Sequence, residues 1–289
     1  MNLTTKKLSF CDVIKMKINI KKYLSILTSL LFLFVGSMST FAEYREPQPG
    51  LKTVKNLLAT AVLPIGKTMY IWGGGWNKAD TGSGEGSTHI GLMPQWERFA
   101  RQQHADYDFH NFEYQINDGL DCSGFVGWAL YNIFNTEEGH NGFVMSATKM
   151  AREFANSGFG SFNDASDVID YKPGDIMSGP GHVWICIGQC ADGSVVFVHS
   201  SPCGVQINGT TTLDGNEESM AIKLAARYMN KYFPEWAEKY PKFSRDCSYL
   251  TQYSQMRWTV DGTGVLADPD GYLEKSVEEI LADLFGEIS

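Results

Sequence analysis

The residue best placed to do chemistry is Cys122, which opens a segment whose apolar residues recur at spacings of three and four up to Phe134. This pattern predicts a buried helix that begins at or beside Cys122. Unpaired backbone N–H groups and partial positive charge at a helix N-terminus stabilise a thiolate, the reactive form of cysteine. A cysteine on an apolar helix is more often just a small buried side chain. The residues elsewhere in the chain therefore decide between the two interpretations.

Two histidines stand in consecutive strand-like runs farther along the chain. His182 opens the first run, and His199 lies near the end of the second. If Gly188 pairs with Gly193 across a hairpin, the histidines lie directly opposite each other, with both side chains on one face of the sheet. Strand histidines are more often structural than catalytic. Placed together downstream of Cys122, however, they match the base and the orienting group that a thiolate nucleophile needs.

The elements around these residues predict an α+β fold, with a helix first and antiparallel strands after it. Apolar periodicity predicts helices over residues 51–63, 94–104, 146–156, 217–232 and 273–285. Strands are predicted over residues 70–72, 182–188, 195–200, 204–207 and 256–260, with a turn at 173–175. The stretch from 75 to 120 begins polar and glycine-rich, which indicates a long surface insertion before the helix of Cys122.

Four short motifs resemble, in order, the signature of the NlpC family of bacterial cell-wall cysteine peptidases. They are Tyr70-Ile71-Trp72-Gly73-Gly74, then Asp121-Cys122-Ser123-Gly124-Phe125, then Pro173-Gly174-Asp175-Ile176 with His182-Val183, and finally Phe197-Val198-His199-Ser200. The resemblance covers residues 70 to about 207. It implies a papain-like fold, in which a helix that carries the cysteine packs on an antiparallel sheet that carries both histidines.

The resemblance also implies roles for single residues. Cys122 is expected to be the nucleophile, His182 the base and His199 the polar residue that orients the base. Tyr70 is expected beside the oxyanion site, and Asp121 and Ser123 at the amino end of the substrate. The implied substrate is a peptidoglycan stem peptide, cleaved at an amide such as that between the side-chain carboxyl of D-glutamate and a diamino acid.

Two departures from the family pattern leave the specificity open. The segment from 75 to 120 is longer than in the family, and so is the loop between the histidines. Two other functions remain possible on the residues alone. The first is a papain-like amidase or acyltransferase that acts on a substrate outside the wall, and the second is a catalytically silent wall-binding module.

No metal or other cofactor is expected. The remaining histidines have spacings that match no helical ligand pair; they are His89, His104, His110 and His140. The run Asp268-Pro269-Asp270-Gly271 lacks the flanking ligands of a calcium loop and is typical of a turn. The net charge of −9 makes a nucleic-acid surface improbable.

The first 42 residues have the layout of a secretory signal. Six lysines precede the apolar run at 24–35, and small residues end at Ala42, after which cleavage is expected. This predicts a secreted or cell-envelope protein whose membrane contact is limited to the signal segment, with retention as an anchor as the alternative. Translation could start at Met1 or at Met16.

The mature chain, 43–289, is predicted to be one catalytic domain with the insertion at 75–120 and a largely helical C-terminal extension at 209–289. We expect Cys186 to be a buried thiol, because it shares a strand face with His182 and Trp184. The sequence leaves open the pairing of the four cysteines outside the predicted site and the signal segment, which are Cys186, Cys190, Cys203 and Cys247. It also leaves open the oligomeric state.

Overall fold

The computed structural model describes residues 46–134 and 142–287, which form eight α-helices and seven β-strands in an α+β arrangement. The helices are α1 (Val54–Val62), α2 (Pro94–Arg101), α3 (Cys122–Phe134), α4 (Met150–Asn156), α5 (Met220–Tyr232), α6 (Pro234–Lys239), α7 (Ser248–Thr251) and α8 (Val277–Leu284). The strands are β1 (Gly160–Asn163), β2 (Ile176–Gly179), β3 (His182–Gln189), β4 (Val195–Ser201), β5 (Gly204–Thr210), β6 (Ser244–Arg245) and β7 (Ser254–Trp258). The predicted signal segment, Met16 and His140 lie outside the described residues.

The strands form one sheet in the order β1-β7-β2-β3-β4-β5-β6. Neighbouring strands are antiparallel, except that the two-residue edge strand β6 runs parallel to β5. The α+β prediction is therefore confirmed, whereas the sheet is mixed and not purely antiparallel. Among the described residues, no helix is long and apolar enough to cross a membrane.

Most predicted elements are present. All five predicted helices occur, and α3 begins at Cys122. The predicted strand at 70–72 is wrong: Met69 makes isolated bridges to Gly119 and Gly204, and a turn follows from Trp72. The turn forms because glycines let it approach α3 closely. A Cβ on Gly124 would lie 2.1 Å from the carbonyl oxygen of Gly74.

The register of the histidine hairpin also differs from the prediction. Ile185 pairs with Val198, and a bulge after Cys186 shifts the register by one residue toward the turn. Gly193 does not pair with Gly188; it has φ of +81° and lies in the turn. The prediction that the two histidines lie directly opposite each other is therefore wrong, because the register of β3 against β4 is offset by two residues at this end of the hairpin. A shift of two residues keeps side chains on the same face, so the histidines remain diagonal neighbours.

The two faces of β3 and β4 are both buried. On the face that carries His199, an apolar cluster includes Trp184, Cys186, Phe197 and Tyr253. Helix α3 is buried from Cys122 as far as Ile133, and its first residue, Cys122, contacts Gly181 immediately before β3. The sheet and α3 together therefore fix the relative positions of Cys122 and the histidines.

The sequence predicts a surface insertion at 75–120, but part of this segment is buried in the structure. Its helix α2 buries Trp96 and Phe99, and Trp96 packs edge-to-face on Trp128 of α3 at 5.8 Å. The hydroxyl of Tyr107 donates to the backbone carbonyl of Tyr70 at 2.6 Å. The insertion is therefore packed against both motif segments that precede the histidines.

Candidate active site

Asp121 caps the helix that carries Cys122. Its carboxylate accepts hydrogen bonds from the backbone N–H of Gly124 at 2.7 Å and from the hydroxyl of Ser123 at 2.8 Å. Aspartate is favoured at this position because it satisfies an N–H group that the first helical turn leaves unpaired. Burial raises the pKa of Asp121 to about 6, although these hydrogen bonds act in the opposite direction. Both neighbours of Cys122 in the motif thus shape the helix N-terminus.

The thiol of Cys122 lies against the peptide groups on either side of His182. Its sulfur is 3.9 Å from the carbonyl oxygen of Gly181, and the backbone N–H of Val183 interacts with it. Only 5% of Cys122 is exposed. Burial raises the pKa of the thiol to about 12, and the charge of Asp121 adds to this effect. Both effects favour the protonated thiol over the thiolate.

His182 and His199 form a hydrogen-bonded pair. Nε2 of His182 lies 2.8 Å from Nδ1 of His199, and the ring planes are 77° apart. This bond occupies Nε2 of His182, so Nδ1 is the ring nitrogen that remains for a further hydrogen bond. His199 is fully buried. Burial, followed by the charge of Arg245, lowers the pKa of His182 to about 3 and lowers that of His199 well below its ordinary value.

The C-terminal extension covers the histidine pair with aromatic side chains. Tyr249 lies 5.9 Å from the ring of His182 and 6.2 Å from that of His199, and Tyr253 lies 6.3 Å from His182. Both tyrosines come from α7 and the segment that follows it. Their rings contribute to the burial that lowers the pKa of both imidazoles.

Arg245 is one of the residues at the histidine pair that the sequence did not indicate. Its Nη2 lies 3.3 Å from Nε2 of His199 and donates to the hydroxyl of Ser201 at 2.9 Å. It belongs to β6, which pairs with β5 through only two residues. No apolar alternation marks so short a strand, so the sequence carried no signal for it.

A cleft of about 250 Å³ opens beside Cys122. Its lining includes all three predicted substrate-contacting residues, which are Tyr70, Asp121 and Ser123. Tyr70 is 5% exposed, and burial followed by the charge of a Cys122 thiolate raises its pKa. The hydroxyl of Ser123 also accepts a hydrogen bond from Nε1 of Trp76 at 3.0 Å. The structure thus brings these side chains to one opening, whatever their roles.

The insertion supplies the outer wall of this cleft. Tyr114 and Asp80 come from the insertion, and Trp72 belongs to the first motif. Trp72 is 47% exposed and Tyr114 is 63% exposed. Asp80 and Tyr114 also adopt positive φ angles of 55° and 61°, which side-chain-bearing residues rarely do. The cleft therefore has two exposed aromatic rings and carboxylates in its wall.

The remaining candidates for site chemistry lie elsewhere. The cysteines within the described ranges are free thiols, and Cys186 is fully buried as expected. No group of three potential metal ligands occurs among the described residues. His110 forms an exposed pair with Glu113 at 3.1 Å. Asp268 accepts from the backbone N–H groups of Tyr272 and Leu273, as a turn residue does.

Comparison with known proteins adds no assignment. No protein-family model matches the chain, and no curated protein or solved structure matches it significantly.

Proposed function

We propose that the protein is a cysteine amidase of the endopeptidase type, in which Cys122 is the nucleophile, His182 the base and His199 the orienting residue. One arrangement carries the proposal: a thiol at a helix N-terminus contacts the peptide groups that flank His182, and the far nitrogen of that histidine is bonded to His199 at 2.8 Å. A nucleophile, a base and an orienting group in this order are the components of covalent acyl transfer.

The finer fold assignment is part of the same proposal. We take the fold to be papain-like, because α3 carries the cysteine at its N-terminus and packs on β3 and β4, which carry the histidines. The four motifs that resemble the NlpC signature support this assignment, and the insertion and the extension are additions to it.

The reaction would start from a neutral pair. As the sulfur of Cys122 attacks the substrate carbonyl, its proton passes to Nδ1 of His182, so thiolate formation is coupled to attack. The backbone N–H of Cys122 and the hydroxyl of Tyr70 would stabilise the oxyanion. The protonated histidine then gives its proton to the leaving amine, and it activates the water that hydrolyses the thioester.

The proposed substrate is a peptidoglycan stem peptide, cut between the side-chain carboxyl of D-glutamate and a diamino acid. The motif resemblance supports this choice, and so does the cleft, in which Asp80 and Asp121 suit an amine-bearing ligand. The lysine-rich, apolar and small-residue layout of residues 1–42 supports export to the compartment where this substrate lies.

The test is mass spectrometry of muropeptides incubated with the protein comprising residues 43–289. We expect fragments with a new free amine on the diamino acid, and none with Cys122→Ala. Cys247→Ala is the matched control, since this thiol is also free but lies in the extension and does not line the cleft. A fully active Cys122→Ala variant would exclude the mechanism. New amines at another bond would exclude only the substrate assignment.

A catalytically silent wall-binding module is the second candidate, because burial holds Cys122 as a thiol and His182 as a neutral imidazole. It predicts that muropeptides bind, as measured by isothermal titration calorimetry, but are recovered uncut. Equal affinity of the wild type and of Cys122→Ala, with no product from either, would favour it.

A further inference from the structure

The end of the histidine pair that faces away from Cys122 is built from two further polar groups. Ser201 Oγ and Arg245 Nη2 each lie 3.3 Å from Nε2 of His199. Nη2 also donates to Oγ of Ser201 at 2.9 Å. A guanidinium group can only donate, whereas a hydroxyl can donate or accept. The two neighbours of Nε2 therefore favour different protonation states of His199.

Two proton arrangements fit these distances. In the first, Nε2 of His199 is bare and accepts from Arg245 or Ser201, so its Nδ1 carries the proton and donates to Nε2 of His182. The proton of neutral His182 then sits on Nδ1, where it blocks uptake of the thiol proton. In the second, Nε2 of His199 donates to Ser201, and Nδ1 of His182 is free to accept.

Arg245 favours the first arrangement. In the second, an N–H of His199 points toward a guanidinium donor 3.3 Å away, and Ser201 is the acceptor that makes the arrangement tolerable. Protonated His182 needs the same state of His199, because its own Nε2–H must donate to a bare Nδ1. Arg245 therefore opposes both the accepting form of the base and its charged form.

We propose that Arg245 and Ser201 are opposed positioning residues, which together determine whether the His182–His199 pair can take up the proton of Cys122. Arg245 restrains the transfer and Ser201 permits it. The inference rests on the proposed pairing of Cys122 with His182, but it needs no assumption about the substrate.

Several groups besides Arg245 and Ser201 also face the His182–His199 pair. Cys122 of α3 lies at the near end, Tyr249 and Tyr253 cover the rings, and a side-chain hydrogen bond with Asn208 of β5 raises the pKa of His199, against the effect of Arg245. These groups are neutral in the free protein near pH 7, since burial raises the pKa of the thiol and of both tyrosines. Arg245 is the charged group that shifts both histidines.

The experiment measures the rate at which iodoacetamide alkylates Cys122 between pH 5 and 10, by peptide mass spectrometry. The thiolate displaces iodide, so this rate reports proton transfer without any muropeptide. We expect Arg245→Met to raise the rate at pH 7 about tenfold, equivalent to a shift of the profile by one pH unit toward lower pH. Lys242→Met is the matched control, because it removes an exposed cation from the same segment and should leave the profile unchanged.

Ser201→Ala should act in the opposite direction and lower the rate about threefold or more, because it removes the acceptor that the second arrangement needs. Two-bond ¹H–¹⁵N spectra of the imidazoles would report the tautomers directly, with the proton of His199 moving from Nδ1 to Nε2 in Arg245→Met. Profiles that coincide with the wild type in both variants, or that shift in the same direction, would overturn the proposal. If both alkylation profiles shift as expected but the wild-type protein does not cleave muropeptides, the result would count against the proposed function and not against this inference.

Discussion

The motif-bearing segment and the two segments around it contribute differently to the candidate site. Residues 70–207 supply the thiol, both histidines and the helix cap that holds Asp121 against Gly124. The insertion and the C-terminal extension supply the cleft wall, the tyrosines over the imidazoles, and Arg245. The residues of the proposed chemistry thus belong to one region, whereas residues of the cleft wall and Arg245, whose charge lowers the pKa of both histidines, come from the other two.

Removing the nucleophile is the largest expected change. Cys122→Ala should lower cleavage of stem peptides by at least about a thousandfold, because it removes the proposed nucleophile that forms the acyl intermediate. The release of new amine is measured for the wild type and for Cys122→Ala. The circular dichroism spectrum of the variant serves as the folding control. Residual activity above a tenth of the wild type would place the chemistry elsewhere.

Loss of the orienting residue should cost less. His199→Ala removes the bond at 2.8 Å that orients the ring of His182, and we expect kcat to fall by about a hundredfold. His199→Asn should recover part of the loss, since an amide can also hydrogen bond to Nε2. Steady-state kinetics on a defined stem peptide checks both variants. A change in KM alone would contradict an orienting role.

The burial of His182 makes the stability of the fold depend on pH. The pKa of His182 is about 3 in the folded protein, against an ordinary value near 6.5 in the unfolded chain. The unfolded chain therefore binds more protons between these values, and stability is lost as the pH falls below about 6.5. His182→Gln should reduce the loss between pH 7 and 5 by about 1 to 2 kcal/mol.

Urea denaturation of both proteins at the two pH values measures this difference. Burial also raises the pKa values of Asp121 and Asp175 to about 6, but both carboxyls are present in both proteins, so their contribution cancels in the comparison. His110→Gln gives the same chemical change at an exposed histidine, and it should behave as the wild type. Equal losses in His182→Gln and the wild type would show that the ring is not desolvated.

The smallest expected effect concerns the cleft wall. Tyr114→Ala should raise KM about three- to tenfold and leave kcat unchanged, because the proposed substrate would pack on this exposed ring of the cleft wall, away from the reacting atoms. Ile169→Ala is the control, since Ile169 is 91% exposed and does not line the cleft. An unchanged KM would assign the wall role to Trp72 or to Asp80 instead.

Local patterns predicted the elements whose signals lie within one segment. The periodicity after Cys122 located α3, and the apolar runs located β3, β4 and β5. The histidine register was wrong because the bulge after Cys186 and the position of Gly193 depend on how the whole hairpin twists. No strand forms at Tyr70, because this segment makes only isolated backbone contacts, such as those of Tyr70 with Cys203 and of Ile71 with Leu120, and the glycines after Trp72 turn the chain against α3.

The site was predictable to the same extent. Residue types and motif order grouped Cys122, His182 and His199; the structure pairs the two histidines and places the sulfur of Cys122 against the carbonyl of Gly181, and the catalytic roles stay predictions. Arg245 reaches His199 only through the parallel pairing of a two-residue strand, a long-range contact that no local pattern encodes. The strong desolvation of the histidines likewise depends on Tyr249 and Tyr253, which come from a segment about 50 residues farther along the chain.

The most direct test of the central claim is a stem peptide that carries a chloromethyl ketone in place of the scissile amide. The account predicts one covalent adduct, on Cys122, and a large fall in its rate of formation in His182→Ala, with both proteins analysed by peptide mass spectrometry. Modification spread equally over Cys122 and the other thiols, or an unchanged rate at Cys122 in His182→Ala, would contradict the pairing of this nucleophile with this base.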